Sequence, residues 1–307
     1  MTSSLIALRR ILQLSAIMLT LMAGALAQAP QPAPKAIIPA AASPSLSAPR
    51  AKAVPLERQL FKNILRDQAA IWTAPLHIRR ADAAWLLPLG VSSAALIATD
   101  HRTSFAVRDK QKLINVSHAV SYPGSGYGST GIVSAFYLIG LARHDKRARE
   151  TGLLAAEALI DASLVSVTLK GITQRPRPLY DDSRGRFFRG GTSFPSGHAA
   201  GVWSIASVVA DEYKHRPLVR FGAYGLATAV SVARYTGRNH YLSDSLVGGA
   251  IGYGVGHYVY RKHHNPQNDS STGKEVNNEM RSKLFPMIAP RYDRRKGDYG
   301  VTLAWGF

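Results

Sequence analysis

Between residues 56 and 262 the sequence returns again and again to uncharged stretches rich in Ala, Leu and Gly: Ala83–Thr99, Thr130–Ala142, Ala199–Ala210, Phe221–Ala233 and Ser245–Tyr260. Thr151–Leu169 is similar but carries Glu157 and Asp161. Short apolar runs suit either buried strands or buried helices, and length and Ala content favour helices. Dense polar punctuation separates them, at Asp100, Arg143-His144-Asp145-Lys146 and Asp211-Glu212. The pattern predicts an all-α fold, a helical bundle over 56–263. The longest of the five uncharged stretches has 17 residues and contains Pro88, whereas a bilayer span takes about 20 apolar residues. The reading therefore leans to a water-soluble or peripheral bundle. Membrane spans stay open, because Gly- and Ala-rich helices also pack closely within bilayers.

The flanks differ from this core. Arg9 and Arg10 precede an uncharged, mostly apolar run from Ile11 to Ala27 that ends in Ala25-Leu26-Ala27. A basic start, an apolar middle and small residues at the cleavage positions predict an export signal over 1–27; an uncleaved anchor is the other reading. Either puts the remainder outside the cytoplasm, in the periplasm or cell envelope. Residues 28–55 are rich in Ala, Pro and Ser without periodicity, which predicts a tether. At the other end, 264–283 is polar and reads as a loop. Tyr299, Val301, Leu303, Trp305 and Phe307 then alternate with small residues, the period of a strand. Phe285–Tyr292 holds Pro286 and Pro290 and suits only an edge strand, so a short C-terminal β-hairpin is expected over the tail 264–307.

Composition narrows the chemistry. The chain has no Cys, which excludes disulfides, thiolate catalysis and Cys-ligated zinc. Thirty-eight Lys and Arg against nineteen Asp and Glu give a formal net charge of +19, a surface that attracts anions. With no helix-turn-helix, zinc-finger or RNA-binding signature beside it, no nucleic-acid partner is expected; a phosphate ester or an anionic lipid surface fits.

Three segments carry chemistry. In the first, Lys170-Gly171-Ile172-Thr173-Gln174-Arg175-Pro176-Arg177-Pro178, the prolines force the chain out of helix. They set Arg177 in a stiff segment where it can converge with Lys170 on a dianion. Alone, the segment reads equally as a basic surface loop. In the second, Phe194-Pro195-Ser196-Gly197-His198, a tight turn opens a helix whose first N–H groups suit an anion. Ser196 adds a donor and His198 a titratable one; alone, this is also an ordinary N-cap with an incidental His. In the third, Arg234-Tyr235-Thr236-Gly237-Arg238-Asn239-His240-Tyr241-Leu242-Ser243-Asp244, a carboxylate four residues after a His can accept from imidazole Nδ1. It would thereby fix the tautomer and leave Nε2 as a nucleophile. Asp244 also suits a helix cap.

The order Lys-x6-Arg-Pro, Pro-Ser-Gly-His, Arg-x5-His-x3-Asp resembles the type 2 phosphatidic acid phosphatase superfamily, which includes bacterial class A acid phosphatases and vanadium haloperoxidases. The resemblance covers about residues 130–260. It implies a bundle with the active site at one end and a phosphatase that needs no metal or other cofactor. Lys170, Arg177, Arg234, Ser196 and the Gly197 N–H would hold the phosphate. His240 would attack phosphorus, His198 would protonate the leaving oxygen and Asp244 would orient His240, through a phosphohistidine intermediate. The substrate would be a phosphate monoester or a lipid or isoprenoid (pyro)phosphate. One departure is Ala233, where the family usually has Ser. The alternatives are a vanadium-dependent haloperoxidase, with vanadate on His240, and a non-catalytic envelope protein. Among other groups, Glu157 and Asp161 read as partners for nearby Arg or Lys, and His263-His264 as a solvated run. His118 with the Gly-rich 122–128 borders a pocket. Arg175, Arg184, Arg186 and Arg189 read as a cationic rim or a solvated loop.

Overall fold

The computed structural model describes residues 56–107, 110–180, 184–265, 287–293 and 298–304. The export signal, the Ala/Pro-rich tether and most of the polar loop of the tail fall outside these residues. Two units are present, one ending at His263 and one beginning at His264.

The first unit is an all-α bundle of eight described helices. They are α1 (Leu56–Thr73), α2 (Ala83–Phe105), α3 (Gln111–Val120), α4 (Gly126–Ala142), α5 (Lys146–Thr173), α6 (Gly197–Glu212), α7 (Pro217–Thr236) and α8 (Leu242–His263). Each predicted uncharged stretch lies inside a helix, and each helix runs on past at least one of its ends. The reason is that charged residues sit on the same helices: α2 continues through Asp100, which is buried rather than punctuating. Helix length was therefore underestimated from the sequence. Arg80–Phe105 and Lys146–Thr173 are each long and apolar enough to cross a membrane, and the apolar window of the first has no share buried within the protein.

Helix α6 is the axis, packed against α5, α7 and α8. Leu154, Ala158 and Ala162 of α5 meet Val208 and Val209 of α6 and Val255 and Val259 of α8 in one cluster. Trp203 and Val202 meet Ala227 and Val230 of α7 in another. The α6–α8 contact is unusually close for a chemical reason. Methyl groups built at Gly248, Gly252 and Gly256 would lie 2.4, 2.1 and 2.3 Å from the carbonyl oxygens of Ser196, Ala200 and Ser204. Positions four apart share a helix face, so a glycine stripe on α8 lies against a carbonyl stripe on α6. This contact sets the start of α8, with His240 and Asp244, beside the start of α6, with Ser196 and His198.

The second unit shows a two-stranded antiparallel hairpin, β1 (Met287–Asp293) with β2 (Asp298–Ala304), Met287 opposite Ala304.

Candidate active site

The end of α5, the start of α6, the end of α7 and the start of α8 meet at one end of the bundle. Helix α5 stops at Thr173, and Gln174 takes the left-handed conformation (φ 45°) and returns its N–H to the Lys170 carbonyl at 3.0 Å. The chain then folds back on itself. The N–H groups of Phe188, Gly191 and Ser193 donate to the carbonyls of Thr173, Gln174 and Arg175. This return strap carries the Thr192 and Pro195 carbonyls to the Lys170 ammonium, which donates to both, at 2.9 Å for Thr192.

Ser196 caps α6. Its hydroxyl accepts from the Ala199 N–H at 3.4 Å, and its own N–H donates to the Asp244 carbonyl at 2.9 Å. Both predicted roles of this residue are compatible, since the cap uses the oxygen as acceptor and leaves the O–H to donate. On the last turn of α7, Arg234 presents its carbonyl to the N–H groups of Asn239 and His240, each at 3.1 Å. That tight return places His240 close behind Arg234.

The His240 ring is oriented differently from expectation. Its Nδ1 lies 2.7 Å from the Ser193 carbonyl and 3.6 Å from Asp244 Oδ2. The main-chain carbonyl takes the Nδ1–H, and Asp244 stands one step back as a buried negative charge. Asp244 is held by the Tyr241 N–H at 2.9 Å, by the Ser193 hydroxyl and by Arg175 at 2.7 Å. Burial pushes its carboxyl up, but His240 and Arg175 together hold it below the usual carboxylate range.

Arg175 is the principal residue the sequence reading misplaced. It is neither rim nor solvated loop: it is fully buried. Its two terminal nitrogens pair with Asp244 at 2.7 Å and with Asp100 at 2.8 Å. Its guanidinium stacks over Tyr241, 4.1 Å from the ring centre, and over Phe187 at 4.6 Å. Asp100 in turn accepts from the Ser243 hydroxyl and N–H. A lone carboxylate closing a 17-residue uncharged stretch was the available signal, since buried acids are almost always paired.

The remaining cations are arranged in the opposite way. Among the described residues no carboxylate forms an ion pair with Lys170, Arg177 or Arg234. Burial, with crowding by Arg177 and Arg234, lowers Lys170 to about 8, and burial with Arg177 lowers Arg234 to about 10. Burial and the same cations lower His198 to about 3. Burial lowers His240 to about 4 despite Asp244. Such a cluster is electrostatically incomplete and favours an anion. Arg177 also lines a neighbouring cavity with Arg186 and Arg189. Lys170, Gly197 and His198 line another, of about 180 Å³, with Gly124, Ser125 and Gly126. The Gly-rich segment thus borders the site, whereas His118 is exposed on α3. A methyl at Gly124 would lie 2.6 Å from Val230 and 3.1 Å from the His198 carbonyl, so glycine lets this loop lie on the His198 turn.

Residues 151–267 match the model of the PAP2 superfamily. The match covers less than half of the chain. The PAP2 segment contains all eight predicted site residues, and it excludes α1 to α4, which supply Asp100 and the Gly-rich border. Among solved structures, the chain resembles Aquifex aeolicus LpxE at 21% identity and a TM-score of 0.39, over 48% of this chain and 86% of that one. It also resembles a transmembrane PAP2-type phosphatidylglycerolphosphate phosphatase from Bacillus subtilis at 19% identity and a TM-score of 0.43, over 71% and 98%. No curated protein matches the chain significantly.

Proposed function

We propose that this protein is a phosphatase that hydrolyses a phosphate ester through a phosphohistidine on His240, without a metal in the reaction. The observation that carries this reading is the contrast between Arg175, neutralised by two carboxylates, and Lys170, Arg177 and Arg234, which have none among the described residues. Three unpaired cations beside two histidines at a helix N-terminus suit a phosphoryl group, whose transfer depends on positioning and charge stabilisation.

In the proposed reaction the three cations, the Ser196 hydroxyl and the Gly197 N–H hold the non-bridging oxygens. Nε2 of His240 attacks phosphorus in line while the bond to the leaving oxygen breaks and His198 gives that oxygen its proton. The Ser193 carbonyl keeps the Nδ1 proton in place, and Asp244 offsets the positive charge that the ring acquires. Water then attacks the phosphohistidine, returns a proton to His198 and releases phosphate.

The substrate side favours a lipid phosphate. The cavity at His198 has Leu159 and Val167 in its wall, and Leu164, Val167 and Ile172 continue exposed along the outside of α5. An acyl or isoprenoid chain has an apolar path away from the cations there. Trp85, Leu87 and Val91 of α2 are also exposed. Together with the basic surface they support an exported protein that associates with a membrane. The test is phosphate release from a lipid phosphate, an isoprenoid pyrophosphate and a soluble monoester, with acid-quench trapping. We expect acid-labile, base-stable phosphate on the wild type and none on His240→Ala. Substantial turnover by His240→Ala sinks the reading.

A further inference from the structure

Midway along α5 and at the end of α8 away from the phosphate site lies a second cluster of ionisable groups that the proposed reaction does not use. Asp67 of α1, Glu157 and Asp161 of α5, and His263 at the end of α8 meet there. The three carboxylates are 1%, 1% and 0% exposed. Nε2 of His263 is 2.9 Å from Asp67 Oδ2 and 3.3 Å from Glu157 Oε1. One donor atom each from Asp67, Glu157 and His263 lies within 4.8 Å of the other two. From sequence, Arg or Lys is predicted beside Glu157 and Asp161, and solvent around His263. Instead, no Lys or Arg among the described residues pairs with any of the three acids.

Two carboxylate oxygens are left without hydrogen bonds although both are buried. They are Glu157 Oε1, within the triad, and Asp161 Oδ2, one helical turn along the same face. Their environment is otherwise ordered. Gln68 donates to Asp161 Oδ1 at 2.8 Å, and the Tyr258 hydroxyl donates to Asp67 Oδ1 at 3.1 Å.

We propose that Asp67, Glu157 and His263 bind a divalent transition-metal ion such as Zn²⁺, with Asp161 accepting from a metal-bound water. One imidazole and two carboxylates form a donor set that such ions use. Tyr258 and Gln68 supply the outer hydrogen bonds that orient the carboxylates. The ligands come from α1, α5 and α8, so the ion fastens α1 to the bundle. Helix α1 packs Ile71 against the core, while Phe61, Leu65 and Trp72 are exposed. The role is structural and separate from phosphoryl transfer.

The test uses the full-length protein purified without added metal. Elemental analysis should find about one equivalent of divalent metal per chain, and EDTA should lower the Tm by about 5–10 °C, restored by Zn²⁺. Asp67→Asn and Glu157→Gln should lose the metal and the EDTA response together. The wild-type chelation and add-back measurement decides by itself if a variant fails to fold. Absence of metal with a Tm indifferent to both EDTA and Zn²⁺ overturns the proposal and favours a proton shared by Asp67 and Glu157. Equal metal content in wild type and Glu157→Gln overturns it as adventitious binding elsewhere. Neither result bears on the phosphatase reading, since turnover is not the readout.

Discussion

Arg175 donates to Asp244 across 2.7 Å in the protein interior, with both side chains fully shielded from solvent. The other end of its guanidinium holds Asp100, so one cation links α2 to the start of α8 and fixes the charge behind His240. Removing one partner of such a group leaves an uncompensated buried charge, at about 3–5 kcal/mol. We expect Arg175→Ala to lower stability by that order in chemical denaturation and to reduce turnover even where the fold persists. Arg175→Lys cannot span two carboxylates in the same plane and should recover little. Wild-type stability in Arg175→Ala contradicts the bridging role.

A second expectation comes from the glycine stripe. Gly252→Ala puts a methyl 2.1 Å from the Ala200 carbonyl, which forces α6 and α8 apart and displaces Ser196 from Asp244. Gly254 lies on the same helix with nothing within 4 Å of its missing side chain. Gly254→Ala should therefore be neutral or stabilising by about 0.5–1 kcal/mol through helix propensity. Comparison of Tm and turnover for the two variants separates packing from propensity. If both behave alike, the close approach of α6 and α8 does not position the site.

These contrasts also show what the sequence disclosed. Helices around Thr151–Leu169 and Ala199–Ala210 were legible because apolar runs of that length have few other outcomes. The positions of Lys170, Ser196, His198, Arg234 and His240 at helix ends were legible from Pro, Gly and capping residues nearby. The partners of Arg175 were not. It stands two residues from Arg177 in the same Pro-rich segment, and only tertiary placement makes one buried and paired and the other open. The Ser193 carbonyl that receives His240 Nδ1 has no side-chain signature at all. Glu157 and His263 lie 106 positions apart, and no local pattern joins them.

The two histidines predict how stability responds to pH. Each has a folded-state pKa below its ordinary value, His240 about 4 and His198 about 3. The unfolded chain therefore binds protons that the folded one refuses. Their contribution is fully present above about pH 6.5 and is lost as pH falls from there toward 4 and 3. Thermal melts should show Tm falling over that window. His198→Gln and His240→Gln, which do not titrate, should each flatten the fall. A slope unchanged in both variants means that other groups dominate acid unfolding.

His198 is charged with donating a proton, yet alone in the protein its pKa of about 3 keeps it neutral at ordinary pH. Burial lowers it first, and Arg234, His240, Arg177 and Lys170 then add repulsion. A bound phosphate dianion offsets those cations, so its arrival should raise the His198 pKa and draw in a proton. Titration calorimetry with phosphate in buffers of differing ionisation enthalpy should show proton uptake in the wild type and much less in His198→Ala. The same variant should separate substrates by leaving group. An alkoxide needs a proton far more than a nitrophenolate does, and general acid catalysis contributes roughly 10²–10⁴-fold. His198→Ala should thus lose far more activity on an alkyl phosphate than on p-nitrophenyl phosphate, and should still form phosphohistidine from the latter. Equal losses on the two substrates, with equal proton uptake, assign His198 to supporting the turn after Gly197 and move the proton to Lys170 or water.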